Sequence, residues 1–530
     1  MAGAAVMPRV LSMPQAHAQA GTTLVVAAPA TPQSLDCNFD VSLGTFEAIA
    51  ALYDGLLGFA KIPDAGVPTA LREDTAFYAD KPGNVNMVGK LAESWELDPS
   101  GKRVVFKLRQ GVKSNWGNEL TAEDVRWTWN RAFELGALGA FYTAVSGLKR
   151  PADVKVEDKY VVSFNTDDPN PLLLKIHTNL YTPVYDSTKC KEMGGTDDPW
   201  ARKFIENESA GFGPYRLQQL TRGQQAVFQA REDYYGGKPA IDTVVFKEVP
   251  TSASRVQLLQ GGAVDIAQYL QPLEIISLRN APNVAVETVP ASFMIWVELN
   301  AKIPPFDNVD VRRAMNYAFP QQEVLKAVYQ GLASPLNGCM PNIYPGFTGD
   351  HYVYEYNLDK AKELLKKAGV EAGFKTSLSY NAGDPVQEPI AIIYQSALKN
   401  IGIEVELNKV PAGSFYNFVT ERKQPMIFYV DSPWCPDPGY SLTLYFDSKS
   451  YVNYSNYSNA EVDKLLAAAA ATADETVRLD VTKKAQAIIM DEAPWTFVAY
   501  PNYTMARKAD LKGWTYYTSN NIRFQDFSRA

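Results

Sequence analysis

The chain has 530 residues and a formal net charge of −8, from 51 Lys and Arg against 59 Asp and Glu. That length exceeds what one hydrophobic core organises and predicts two or three domains. The acidic balance argues against a nucleic-acid partner, which needs a basic face; the 46% apolar content argues against a disordered chain, and no apolar run of about 18 residues after position 20 predicts a membrane span.

Ala18-Gln19-Ala20 before Gly21 is a small-x-small pattern of the kind signal peptidase cuts. Ala2 to Met7 is a short apolar run and Arg9 the only charge upstream, so residues 1–20 are expected to be the tail of an export signal, with a disordered leader as the alternative. No cysteine stands at position 21 to carry a lipid anchor. A buried strand is predicted over 22–28, then a helix over 47–57 with Ile49, Leu52, Leu56 and Leu57 inward, then a polar loop over 61–89.

Asp98-Pro99-Ser100-Gly101 is turn chemistry, and 103–109 alternates with a period of two, a half-buried strand. Thr121 and Asp124 form a variant capping box for a helix that turns Val125, Trp129 and Ala132 inward. A strand over 159–165 and a helix over 172–178 follow. Gly211-Phe212-Gly213-Pro214-Tyr215 lacks the third glycine and the helix of a phosphate loop, so a tight turn into a strand is expected. Then come a strand over 243–249, a helix over 252–261, a short strand at 264–267, a strand over 293–299 and a helix over 309–318. The order strand 376–380, helix 386–400, strand 404–407 predicts a βαβ unit with parallel strands. A strand over 427–430 and two helices, 461–472 and 475–491, lead to a last strand at 497–500.

Catalytic signals are thin. Of three histidines, at 17, 177 and 351, none sits in an HExxH frame, and GxSxG and the phosphate-loop lysine motif are missing, so no catalytic, metal-binding or cofactor-binding residue is predicted. His177 and His351 are expected at the surface or in hydrogen bonds. Asp36, Asn38, Asp40 and Glu47 fall on EF-hand positions, but Val41 stands where that loop needs glycine, so the match is a coincidence. Cysteines 37, 190, 339 and 435 show no metal spacing.

Leu91 to Val125, LAESWELDPSGKRVVFKLRQGVK…LTAEDV, resembles the signature of family 5 extracellular solute-binding proteins, the peptide/nickel-type receptors of ABC importers. Lys113-Ser114-Asn115-Trp116-Gly117 departs from the family's usual Phe-His-(Asp)-Gly. Gly211 to Tyr215, Arg231 to Pro239, and Pro305-Phe306 with Val311-Arg312 resemble later family elements. The likeness runs from about residue 24 to 514.

The resemblance implies an α/β, two-lobe periplasmic-binding-protein fold with mixed sheets, a hinge near Val289 and Trp495, and an extra domain in the first lobe. Implied boundaries are 21–45, 211–289 and 495–530 for the first-lobe main domain, 46–210 for the extra domain, and 290–494 for the second lobe. It implies a monomeric periplasmic receptor, not an enzyme, that captures a small peptide between the lobes and delivers it to an inner-membrane ABC permease. The alternatives are an oligosaccharide, opine-like or metal-chelate ligand on the same fold, an exported hydrolase, or a chemosensory binder.

The best binding candidate is Tyr429 to Tyr440, a strand running into a loop stiffened by three prolines, which resembles the family loop where a tryptophan packs on the ligand and an aspartate pairs with a peptide's amino group. That implies Trp434, with Asp437 preferred over Asp431 as the anchor; the alternative is a structural turn with Trp434 in the core. Tyr440, Phe39, Trp296, Tyr416 and Tyr500 are further candidates to line the cleft. Export would permit a Cys339–Cys435 disulfide, with four separate thiols as the alternative.

Overall fold

The computed structural model of the chain describes residues 22–40, 42 and 44–529. The expected export signal lies outside the described residues.

Two sheets carry the architecture. The first has seven strands in the order Tyr215–Thr221, Gln225–Ala230, Thr243–Glu248, Thr23–Ala28, Ile266–Ala267, Tyr503–Lys508 and Val284–Val289. Thr23–Ala28 pairs in parallel with both neighbours. It is buried from Val26 to Ala28, as its run of small apolar and β-branched residues demands. The second sheet has six strands in the order Ala333–Pro335, Trp495–Pro501, Met294–Leu299, Met426–Asp431, Phe374–Asn381 and Ile403–Val410. Phe374–Asn381 and Ile403–Val410 are parallel and joined by the helix Gln387–Lys399, the βαβ unit expected. Each sheet organises its own lobe. The first core draws on residues 24 to 291 and 505 to 527; the second lobe's two clusters draw on residues 294 to 500.

The chain crosses between lobes twice. After Val289 it passes Ala291 and Ser292 into Met294–Leu299. It returns at Asn502, where Trp495–Pro501 of the second sheet runs into Tyr503–Lys508 of the first. The return is therefore not at Trp495, which is buried in the second core and stacks on Trp296 with ring centroids 4.1 Å apart.

The signature segment builds a satellite sheet of four antiparallel strands: Ala92–Leu97, Arg103–Leu108, Val161–Asn165 and Val154–Asp158. The capping box forms: the Thr121 backbone N–H donates to Asp124 Oδ2 at 2.7 Å. Val125, Trp129 and Ala132 are buried. Gly211 and Gly213 serve close packing. A Cβ on Gly211 would stand 2.1 Å from the Leu52 carbonyl oxygen, and one on Gly213 2.4 Å from the Leu52 carbonyl carbon.

Three expectations differ locally. The first helix is Thr45–Leu52, because Tyr53 is extended at φ −131, and Leu57–Phe59 forms a strand. The segment 61–89 is not plain loop but carries short strands, one of which, Leu71–Glu73, pairs with Thr515–Tyr516. His177 is neither at the surface nor hydrogen-bonded. It sits among Phe106, Phe164 and Trp129, with ring centroids 4.4 to 5.3 Å away, and its Nε2 has no partner among the described residues. Burial pushes its pKa down to about 3, so it is neutral.

Candidate functional site

Strands of both sheets end toward the junction of the lobes, the place where open α/β sheets leave a crevice. Two neighbouring cavities occupy it and share Tyr269, Phe293 and Val430. The larger, about 930 Å³, lies between the Gln268–Gln271 loop of the first lobe and Asn381 to Val386 of the second. Its charged groups are committed to structure. Arg255 donates to the carbonyls of Gln268, Val249, Pro250 and Tyr269. Glu274 caps its own helix through the Gln271 N–H. Asp384 accepts from the Val386 N–H and Gln387 Nε2.

The smaller cavity, about 170 Å³, is different in kind. The second lobe supplies Asp431, Ser432 and Trp434 from the loop after Met426–Asp431; the first supplies Phe46, Tyr181, Glu73, Asn520 and Arg523. Asp431 is half-buried, and its Oδ1 accepts the Ser432 N–H at 2.7 Å. Removal from water pushes its carboxyl pKa up to about 6. Trp434 leans on Tyr181 at 4.8 Å and lies 6.1 Å from Tyr142, and Asn179 Nδ2 donates to its carbonyl at 3.3 Å. Its ring therefore packs on first-lobe aromatics although its backbone belongs to the second lobe.

The cavity's polar wall is locked to the hinge. Asn520 Nδ2 donates to Ser292 Oγ at 2.9 Å and to Ser432 Oγ at 3.0 Å, and the Ser292 N–H donates to Tyr516 Oη at 2.8 Å. Ser292 stands in the first crossing, so displacement of the loop at Ser432 is felt there.

Of the residues named from sequence, Trp434 and Asp431 line this cavity, and the others stand elsewhere. Asp437 is fully buried and does not line it. It caps the helix Pro438–Phe446 through the Tyr440 N–H, and Arg478 clasps it from two nitrogens at 2.6 and 2.9 Å. Lys175 Nζ adds a third contact at 2.8 Å. No lone pair is left for a ligand ammonium without breaking these bonds, so the preference for Asp437 is corrected: it is a structural acid, and of the two aspartates only Asp431 lines the cavity. Tyr440 is buried beside Phe141. Trp296 lies in the second core, its N–H on Glu298. Tyr500, also in that core, donates to the Met340 carbonyl at 2.9 Å. Tyr416 is exposed on the helix Ala412–Thr420. Phe39 is exposed under the Arg202 guanidinium. The Cys339–Cys435 disulfide is likewise corrected. All four cysteines are free, buried thiols, with Cys339 inside the second core and Cys435 beside the Asp437 charge cluster.

Sequence reasoning missed Tyr181, Phe46, Asn520 and Arg523. They come from three separate stretches, and no local spacing marks them.

The profile of bacterial extracellular solute-binding proteins, family 5 (middle), matches residues 86–453. The chain is 28% identical over 513 residues to the probable D,D-dipeptide-binding periplasmic protein DdpA of Escherichia coli K12, covering 95% of this chain and 94% of the relative. Its fold matches that of Helicobacter pylori DppA, an ABC transporter-associated periplasmic binding protein in complex with the peptide STSA. The TM-score is 0.80 at 24% identity, over 96% and 98% of the two chains. It also matches the dipeptide-binding protein of Pseudoalteromonas sp. SM9913 in complex with Met-Leu, with a TM-score of 0.81 at 21% identity over 96% and 100%. The architecture is thus the two-lobe periplasmic-binding-protein fold.

Proposed function

The chain belongs to the bacterial extracellular solute-binding proteins of family 5, and on that premise we propose that it captures a short peptide in the small interlobe cavity and hands it to an ABC permease. The observation that carries this reading is the cavity itself. Its walls come from both lobes, so a ligand inside it contacts both and favours their closure. Asp431 is placed to pair with a peptide ammonium and Trp434 to cover the side chain next to it. Together with the adjoining cavity of about 930 Å³, the small cavity's volume of about 170 Å³ leaves room for a short peptide. The neighbouring larger cavity gives a longer chain a way out.

Binding without turnover is part of the reading, because the cavity's charged groups are not arranged as a nucleophile and base. Residence in the periplasm follows from the family's exported role. No helix among the described residues is long and apolar enough to cross a membrane.

Thermal unfolding in the presence of a dipeptide panel tests the proposal. A ligand at a hundred times its Kd stabilises the protein by about 2.7 kcal/mol and is recovered chemically intact. A panel without any stabilising peptide, or conversion of the bound peptide by sub-stoichiometric protein, overturns it.

A further inference from the structure

The two interlobe cavities meet at three residues, and one of these has an unusual backbone. Tyr269 lines both cavities together with Phe293 and Val430, and it is 37% exposed. Its φ is 52°, on the left-handed side. There a Cβ crowds the backbone, so glycine and asparagine are the usual occupants. Nine other described non-glycine residues share a positive φ; four are asparagine and none is aromatic.

Such a conformation persists where the surroundings over-determine it. Buried Arg255 donates from Nε to the Gln268 carbonyl and from Nη2 to the Tyr269 carbonyl, each at 2.8 Å. Its Nη1 holds the carbonyls of Val249 and Pro250 at 2.6 and 3.0 Å. The Gln268 N–H donates to the Ala27 carbonyl at 3.0 Å, and Gln268 Nε2 donates to Glu47 Oε1 at 2.8 Å. Two residues further on, the Gln271 N–H is taken by Glu274 at 2.8 Å. The backbone is therefore pinned on both sides of Tyr269. Glycine would meet this backbone demand at lower cost, so the ring is held there for what it meets in the cleft.

Tyr269 comes from the first lobe, Val430 from the second-lobe strand Met426–Asp431, and Phe293 from the crossing between them. All three are uncharged, and they form the neck between compartments of about 170 and 930 Å³. A peptide that occupies both compartments passes one residue through the neck. A pinned loop does not draw back for bulk at that point. Beyond it, Ile275, Tyr329 and Leu332 line a roomier wall.

We propose that Tyr269 is the specificity-determining residue of this neck: it requires a small side chain on the ligand residue lying between the cavities, and large apolar side chains are accepted only beyond it. This assignment deepens the peptide reading and rests on it.

Calorimetry of tripeptides tests this in the intact protein. Three series carry alanine, leucine or tryptophan at the first, second or third position, with alanine at the other two. At one position leucine and tryptophan are expected to bind on the order of tenfold or more weaker than alanine. Tyr269→Ala is expected to abolish that penalty and leave the other two positions unchanged; Tyr269→Phe, which keeps the ring, retains it. Tyr269→Gly makes the same comparison should Tyr269→Ala fail to fold. Tyr269→Gly is also expected to unfold at a higher denaturant concentration than Tyr269→Ala, because only glycine takes the left-handed backbone without strain. A penalty that persists in Tyr269→Ala, or no penalty at any position, overturns the neck and leaves the peptide reading standing. Greater stability of Tyr269→Ala than Tyr269→Gly overturns the pinned backbone on which the neck depends. Failure of every tripeptide to bind overturns the peptide reading and the neck with it.

Discussion

Lys175 of the first lobe donates to Asp437 of the second across 2.8 Å, with both side chains removed from water. Lys175 also lies 3.3 Å from Glu475, and Arg478 joins Asp437 to Glu475 from within the second lobe. Four charges thus form one buried cluster, three from one lobe and one from the other. Opening the cleft removes only Lys175 from it, because Arg478 travels with its acids. The cluster lies outside the small interlobe cavity and ties the two lobes together by charge.

Lys175→Met is therefore expected to bias the apo protein toward an open form and to weaken any ligand by about tenfold or more without touching the cavity. Small-angle scattering checks it: the variant should show a larger radius of gyration before ligand and a normal one at saturation. Identical apo profiles would show that the contact does not govern closure.

Asp437→Asn should act on stability first. Leaving Arg478, Lys175 and Glu475 without their central acid costs on the order of 3–5 kcal/mol, read as a lower midpoint in chemical denaturation. Burial alone would raise the Asp437 pKa, but Arg478 and Lys175 outweigh it and hold it well below the usual carboxylate range. A depressed folded value means that the stabilisation is present above about pH 4 and is lost as the pH falls toward that folded value. The acid limb of the stability profile should flatten in Asp437→Asn.

Asp431 predicts the opposite sign. Its carboxyl is raised to about 6 by burial, so the apo fold loses stability as the pH climbs from about 4 through that value. Below it the group is protonated and must shed a proton to pair with an ammonium. Affinity for an amine-bearing ligand is expected to fall about tenfold per pH unit below pH 6 and to level off above it. Asp431→Asn should abolish both the slope and most of the affinity; a slope that persists in the variant would assign it to another group.

The cysteines give a chemical test of the fold. Because all four are buried free thiols, the native protein should resist alkylation, and protein unfolded without reductant should take up four labels. Two labels would reinstate a disulfide. Cys339 in the second core and Cys435 beside Asp437 are each raised by burial, the latter to about 12, which further slows reaction in the native state.

Trp434→Ala removes the ring that packs on Tyr181 and Tyr142 across the lobes. Affinity should drop for charged and uncharged ligands alike, by on the order of 2 kcal/mol or more as for a central interface aromatic, with a matching loss of ligand-induced compaction. Calorimetry with scattering on the same samples separates contact from closure.

Much of the framework was legible in the residues. Alternation over 103–108, the Thr121–Asp124 box and the strand–helix–strand order from 374 to 410 each follow from local spacing, because strands, helices and caps are decided by neighbours in sequence. The loop carrying Trp434 also stood out, through its prolines. What the sequence could not decide was which acid of that loop is available. Asp431 and Asp437 are alike as residues, and only the approach of Arg478 from 41 positions away and Lys175 from 262 turns one into a structural keystone and leaves the other facing a cavity. His177, the return crossing at Asn502 and the separate thiols likewise depend on what packs around them. Local chemistry set the elements and the family signature; long-range packing alone set the burial, charge pairing and cavity walls on which recognition depends.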